Sequence, residues 1–201
     1  MNIDKPLTVL FYGPSGSGKG TQAKMLKAYL ERNNSTRQTE YIETGALLRK
    51  FIKEDGYTQK LTSDAMSTGD LLPSFLPIYL WTELLIEHLD GEEHLILDGL
   101  ARREREVFIL EGALRFYDRS DYHIISFELS ENSARERLIG RGRSDDMDDE
   151  SINKRLAWYR NDVLPAIGKF EELGGKVHRI DAEPSIEAIH SVVLEVLGLQ
   201  K

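Results

Sequence analysis

Residues 8–22 read Thr8-Val9-Leu10-Phe11-Tyr12-Gly13-Pro14-Ser15-Gly16-Ser17-Gly18-Lys19-Gly20-Thr21-Gln22, and this stretch decides the fold. An apolar, β-rich run, Thr8–Tyr12, leads into a loop with glycines at 13, 16 and 18 that closes on Lys19. Beyond the loop Met25, Leu26, Tyr29 and Leu30 recur at three-to-four spacing, which predicts an amphipathic helix over residues 20–30 that ends near Asn33 and Asn34. Strand, glycine loop, lysine and helix in this order are the context a G-x-x-x-x-G-K phosphate loop requires. Glycine lets the backbone wrap with its N–H groups inward, the helix N-terminus adds partial positive charge, and Lys19 adds a full one. Such a nest suits a triphosphate, so Gly16, Ser17, Gly18, Lys19, Gly20 and Thr21 are the candidate ligands of ATP phosphates. The hydroxyl expected directly after the lysine is replaced by Gly20. Thr21, one place later, becomes the candidate hydroxyl near Mg²⁺.

Working outward, further β-rich runs lie at residues 94–97, 122–129 and 176–180, with a weaker one at Thr39–Glu43. Each precedes a segment of helical spacing, the alternation of a parallel sheet flanked by helices, so the fold class is α/β. Roughly fifty residues separate the second strand from the third, more than one crossover helix needs, and turn signals at Asp55-Gly56, Gly69-Asp70 and Pro73 predict an inserted helical lobe. Residues 141–150 are short, polar and rich in both charge signs; they read as a flap between a helix over residues 132–139 and a long helix over residues 149–173. The 201 residues show no linker composition, so one domain is expected.

Composition narrows the function. With 26 basic and 34 acidic residues the formal charge is −8, which argues against a general nucleic-acid binder. The absence of cysteine excludes disulfides and thiolate-bound zinc, and the five histidines show no metal-ligand spacing. No signal peptide and no long apolar run is evident, so a cytoplasmic monomer without membrane or nucleic-acid partners is expected.

Phosphoryl transfer demands neutralisation of charge around two converging phosphate chains, which makes arginines the residues to seek. Arg137, Arg141 and Arg143 lie in and before the flap, Arg155 follows on the next helix, and Arg102 sits four residues beyond Asp98. Taken singly, each reads equally as a solvated surface charge. Asp145-Asp146 follow Arg143 and are placed to hold arginines in the nucleotide-free state. Asp98 ends an apolar run at a strand's carboxyl edge, where open α/β sheets bind ligands. Its carboxylate suits the water shell of Mg²⁺, or alternatively caps the turn at Gly99.

These segments together resemble the nucleoside monophosphate kinases, most of all adenylate kinases of the short-lid form. The resemblance rests on GPSGSGKGTQ at residues 13–22, TGALLR at 44–49, GDLLP at 69–73, DGLAR at 98–102 and GRSDD at 142–146, in the family's order over almost the whole chain. It implies a P-loop NTPase-type fold with a five-stranded parallel sheet, a monophosphate-binding insertion at about residues 43–72 and a very short lid at about 141–150. It implies reversible transfer from ATP to a nucleoside monophosphate, with Mg²⁺ as cofactor and AMP as the foremost acceptor; a UMP/CMP or GMP kinase is the alternative. Carried over by position, Arg137, Arg141 and the chain near Pro184 border ATP. Thr44, Arg49, Asp70, Leu71, Leu72, Gly99, Arg102 and Glu106 border the monophosphate. Lys19, Arg102, Arg141, Arg143 and Arg155 surround the transferring group, Arg143 and Arg155 also reaching the monophosphate.

Three positions depart from that pattern. Ala101 replaces a proline that the family holds after a cis bond, which predicts a trans bond and a reshaped loop at Arg102, because cis costs about 2.5–4 kcal/mol without proline. Ala46 replaces an aspartate. Glu106 stands where adenylate kinases carry a glutamine that reads the adenine edge; a carboxylate only accepts hydrogen bonds, whereas an amide also donates. Glu106 either faces the base or pairs with Arg102, Arg103 or Arg105. Thr44 argues against guanine, since the UMP/CMP kinases tend to carry Ala there. Two rival functions remain: a small-metabolite kinase on the same scaffold, and a nucleotide-binding sensor without turnover.

Overall fold

In the computed structural model, residues 5–141 and 149–200 are described, apart from the side chain of Arg141. Five parallel strands form one sheet in the order β2-β3-β1-β4-β5. They are β1 (Thr8–Tyr12), β2 (Thr39–Glu43), β3 (His94–Asp98), β4 (Tyr122–Glu128) and β5 (Lys176–Asp181). β1 and β3 are buried at every residue, as continuous apolar strands with both faces covered must be. On one face Leu10, Leu97 and Ile124 pack with Trp81, Val107, Leu110 and Phe170; on the other Val9, Phe11 and Ile125 pack with Leu26, Leu30, Ile189 and Val193. The register sets Phe11 and Glu43 each beside Asp98, so the carboxyl ends of three strands finish in one row.

The helices are α1 (Lys19–Asn33), α2 (Thr44–Phe51), α3 (Tyr57–Ser67), α4 (Phe75–His88), α5 (Glu104–Phe116), α6 (Glu131–Arg141), α7 (Asp149–Trp158), α8 (Leu164–Glu172) and α9 (Ile186–Val196). α2, α3 and α4 occupy the long connection from β2 to β3, and Leu48, Leu72, Leu76 and Leu80 form a small core of their own there. The single helix expected over residues 149–173 is instead α7, a π-helical turn at Tyr159–Val163, and α8. Pro165 explains the break: it has no N–H to give to the preceding turn, and a π turn absorbs the missing bond. α1 and α6 each run further than their apolar spacing shows. The flap falls mostly outside the described residues, and with it Arg143, Asp145 and Asp146.

Candidate active site

The phosphate loop takes the form its glycines allow. Gly16 and Gly18 have φ of 89° and 83°, the left-handed region in which a side chain is strained. A Cβ at Gly16 would also sit 2.9 Å from the carbonyl oxygen of Ala134 in α6. α1 starts on Lys19 with neither a side-chain cap nor an acidic residue in its first turn, which leaves its N-terminal donors for an anion. Gly16, Gly18, Lys19, Gly20 and Thr21 all line one cavity of about 550 Å³. Ser17 does not join that wall: it is buried beneath Gly13, where a Cβ would come 2.6 Å from Ser17 Oγ.

Asp98 lines the cavity on the strand beside the one that leads into this loop, 4% exposed. The Tyr41 hydroxyl donates to its Oδ2 at 3.1 Å, and burial raises its pKa while Lys19 opposes the rise. The departure at Gly20 has its reason here, since a Cβ at that position would stand 3.2 Å from Asp98 Oδ2. Glycine keeps open the space beside a buried carboxylate, within reach of the loop that would hold phosphates. Hard oxygen donors around such a space fit Mg²⁺, which keeps most of its waters and takes few protein oxygens.

Arg49, Arg102, Arg137 and Arg155 reach the cavity wall by different routes. Arg102 leaves the loop after β3 and donates from Nε to the carbonyl of Gly99 at 2.9 Å, its guanidinium lying 5.4 Å from the centre of the Trp158 ring. Gly99 permits this approach: its φ is 68°, and a Cβ would come 2.9 Å from Arg102 Nη2. Burial lowers the Arg102 pKa, and Asp98 and Glu106 offset only part of the fall. Arg155 lines the same cavity and lies close enough to oppose the charge of Arg102. Arg49, on α2, pairs with Glu43 at 2.6 Å. Arg137 faces the cavity from α6 and binds the carbonyls of Ala182 at 2.8 Å and Glu183 at 3.2 Å, which anchors the chain just before Pro184. Pro184 itself is exposed and stands outside the cavity wall. Arg141's side chain and Arg143 lie outside the described residues.

The far end of the cavity is largely apolar. Leu48, Met66, Leu71, Leu72, Pro77 and Val163 line it, with Thr44, Gly99 and Glu106 among them and Asp70 at its exposed edge. Glu106 is buried and does pair with its neighbours: Oε2 accepts from the Arg102 N–H at 2.8 Å and Oε1 from the Ser74 hydroxyl at 2.5 Å. It also lines the cavity, so pairing with its neighbours does not remove it from the wall. Among the described residues there is no cis peptide bond, as Ala101 predicts, and Ala101 adopts φ 47°, in the left-handed region that a side chain rarely takes.

Four contributors were not found by motif. Tyr12 donates its hydroxyl to the Leu100 carbonyl at 2.5 Å and so fixes the loop that carries Arg102. Tyr41 steadies Asp98. Arg103 donates to the carbonyls of Leu72 at 2.6 Å and Leu71 at 3.3 Å, and to Asp162 at 3.3 Å, tying the inserted segment to the π turn. Trp158 stacks on Arg102 while its indole N–H donates to the Gly69 carbonyl at 3.2 Å. An aromatic at the end of an arginine-bearing helix was the one available signal for Trp158; Tyr12 and Tyr41 depend on pairing across the sheet, and Arg103 on the docking of the inserted segment against the π turn.

Among known proteins, the family model described as adenylate kinase matches residues 11–175. An adenylate kinase of Corynebacterium urealyticum is 31% identical over 188 residues, covering 94% of this chain and 97% of its own length. One from Corynebacterium aurimucosum is 32% identical over 186 residues, covering 92% and 96%. Adenylate kinase 1 of a Nostoc species is 30% identical over 190 residues, covering 94% and 98%. A family model and relatives whose matches run through both the glycine loop and the arginine-lined cavity establish that the chain belongs to the adenylate kinase family.

Proposed function

We propose that this chain transfers the γ-phosphoryl group of ATP reversibly to AMP, giving two ADP. The observation that carries the reading is one cavity with the phosphate loop at one end, an apolar slot at the other, and Arg49, Arg102 and Arg155 around it. ATP lies with its phosphates on the loop at residues 16–21 and its base toward the chain near Pro184, which Arg137 braces. AMP enters the insertion at residues 43–72, its base in the slot formed by Leu48, Met66 and Leu72 and its phosphate among the arginines.

An AMP phosphate oxygen is already nucleophilic, so no side-chain base is needed. That oxygen bonds to the γ-phosphorus as the bond from γ-phosphorus to the β–γ bridging oxygen breaks, and ADP leaves. Lys19 and the α1 N–H groups hold the β and γ oxygens, while Arg102 and Arg155 hold the group in line. Thr21 and Asp98 would hold Mg²⁺ through its waters, where it neutralises charge on the β and γ oxygens. The apolar slot and the buried loop exclude water, which would otherwise accept the phosphoryl group.

A coupled assay with ATP, AMP and Mg²⁺ tests this reading: two ADP should appear for each AMP consumed. Nucleotide binding without turnover would favour a sensor. Turnover only with acceptors that lack a phosphate would favour a metabolite kinase.

A further inference from the structure

The apolar slot contains one buried carboxylate, and its hydrogen bonds fix what it offers to a ligand. Glu106 is 2% exposed and lines the cavity beside Thr44, Leu48 and Leu72. Its Oε2 accepts the Arg102 N–H, and its Oε1 accepts the Ser74 hydroxyl. The direction of the Ser74 bond is set by two guanidinium groups, since Arg105 Nε donates to Ser74 Oγ at 3.0 Å and Arg103 Nη1 at 3.5 Å. A hydroxyl has a single proton, and with donors arriving at its oxygen that proton goes to Glu106. Both carboxylate oxygens are therefore acceptors. Arg103 Nη1 stands 3.8 Å from Oε1, too far for a hydrogen bond, so each oxygen keeps a second lone pair, and Glu106 contributes acceptors and no donor to the cavity it lines.

Among the common bases only guanine carries two adjacent N–H donors on its pairing edge, the ring N1–H and the 2-amino group. Adenine and cytosine each set one amine beside a ring-nitrogen lone pair, which a carboxylate repels. Uracil sets one N–H between two carbonyls. Thr44 does not decide against guanine: it is 3% exposed, lines the cavity, and its Oγ1 has no hydrogen-bond partner among the described residues. Its hydroxyl donates to a 6-oxo group as readily as it accepts from a 6-amino group.

We propose that a guanine nucleoside monophosphate is a second acceptor at this site, read by Glu106 through N1–H and the 2-amino group. The proposal rests on the slot's being the monophosphate site. Adenine is held there by its amine alone.

The test is kcat/KM for AMP, GMP, IMP and UMP with saturating ATP and Mg²⁺, on the native chain and on Glu106→Gln. GMP should be used within about tenfold of AMP and at least about tenfold better than IMP, which lacks the 2-amino group and leaves one acceptor unmatched. Glu106→Gln should lower the GMP-to-AMP ratio about a hundredfold, because an amide supplies the donor that adenine's ring nitrogen needs. The ratio is taken within one preparation, so loss of folded material cancels. An unchanged ratio overturns the proposal, as does equal use of GMP and IMP by the native chain, a comparison that stands even if the variant does not fold. Turnover of AMP without GMP defeats this proposal alone, whereas turnover of neither defeats the monophosphate reading beneath it.

Discussion

The two ends of the cavity are built on opposite plans. At the phosphate loop, nine consecutive residues supply strand end, glycines, lysine and helix start, and the donors are mostly backbone. At the other end, side chains from α2, α5, α7 and the loop after β3 meet, and the bonds that bring these elements together reach far in sequence. Arg103 holds Leu72 across 31 residues, and Trp158 holds Gly69 across 89. The loop is thus a local solution that any strand–turn–helix of this composition adopts. The acceptor end is a tertiary solution whose specificity depends on parts that have no common motif. Substitutions in the loop should remove transfer for every acceptor, while substitutions in the slot should redistribute transfer among acceptors.

The largest expected effect is at Lys19. Lys19→Met removes the one full charge the loop contributes, and kcat should fall about a thousandfold, on the order of 4 kcal/mol of transition-state stabilisation. Thermal unfolding should barely change, because the side chain lines an open cavity. The fall should be equal for AMP and for any other monophosphate. Unequal loss would show that the donor end discriminates acceptors, and would break the contrast.

The second effect tests what the two ends share. β3 carries Asp98 at its carboxyl end, and at its start His94 is fully buried with Nδ1 accepting the Leu7 N–H at 3.0 Å. Protonation would set an N–H against that donor, and burial with Arg37 and Arg119 nearby lowers the His94 pKa to about 4. A depressed folded-state pKa means the unfolded chain takes up the proton first. Stability is therefore fully present above about pH 6.5 and declines as pH falls toward 4, by up to about 3 kcal/mol. Urea unfolding at pH 7 and pH 4.5 measures this, and His94→Gln should flatten the His94 part of the difference. KM values for ATP and monophosphate should drift together over the same range, since the strand supports both ends.

The same contrast explains what was legible in the sequence. The strands and the loop could be read because apolar runs and glycine spacing are local, and even edge strand β2 emerged from Thr39–Glu43. Most of the acceptor residues were reached through ordered segments, without the bonds that position them. Glu106 shows the limit: sequence could pose its two orientations, but Ser74 lies 32 residues away and only the fold brings its hydroxyl to Oε1. The π turn was equally hidden, since periodicity runs through Tyr159–Val163 and only Pro165 marks it. Ser17 sits in the motif yet faces inward, because a loop that turns its amides to an anion turns some side chains into the core.

A smaller effect should come from Arg102→Lys. Lysine keeps the charge but loses the planar group that lies against Trp158 and the Nε bond to Gly99. A loss of about thirtyfold in kcat/KM is expected, near 2 kcal/mol, shared between kcat and the monophosphate KM. The ATP KM should stay within about twofold, as Arg102 belongs to the acceptor side. An ATP KM that rose as far as the monophosphate KM would place Arg102 between the two ends.

The finest division is offered by Trp158→Phe, which keeps an aromatic face for Arg102 and removes only the indole N–H given to Gly69. Gly69 is constrained from the other side too: its φ is 73°, and a Cβ would meet Ser151 of α7 at 3.0–3.1 Å. One neutral hydrogen bond contributes about 1 kcal/mol, so the monophosphate KM should rise about fivefold with kcat nearly unchanged. If kcat fell and KM held, the ring would act on Arg102 during transfer. A rise in KM alone means that Trp158 acts by seating the inserted segment. The acceptor end is then divisible into a part that positions substrate and a part that stabilises charge, a division the phosphate loop does not permit, because there the same backbone does both.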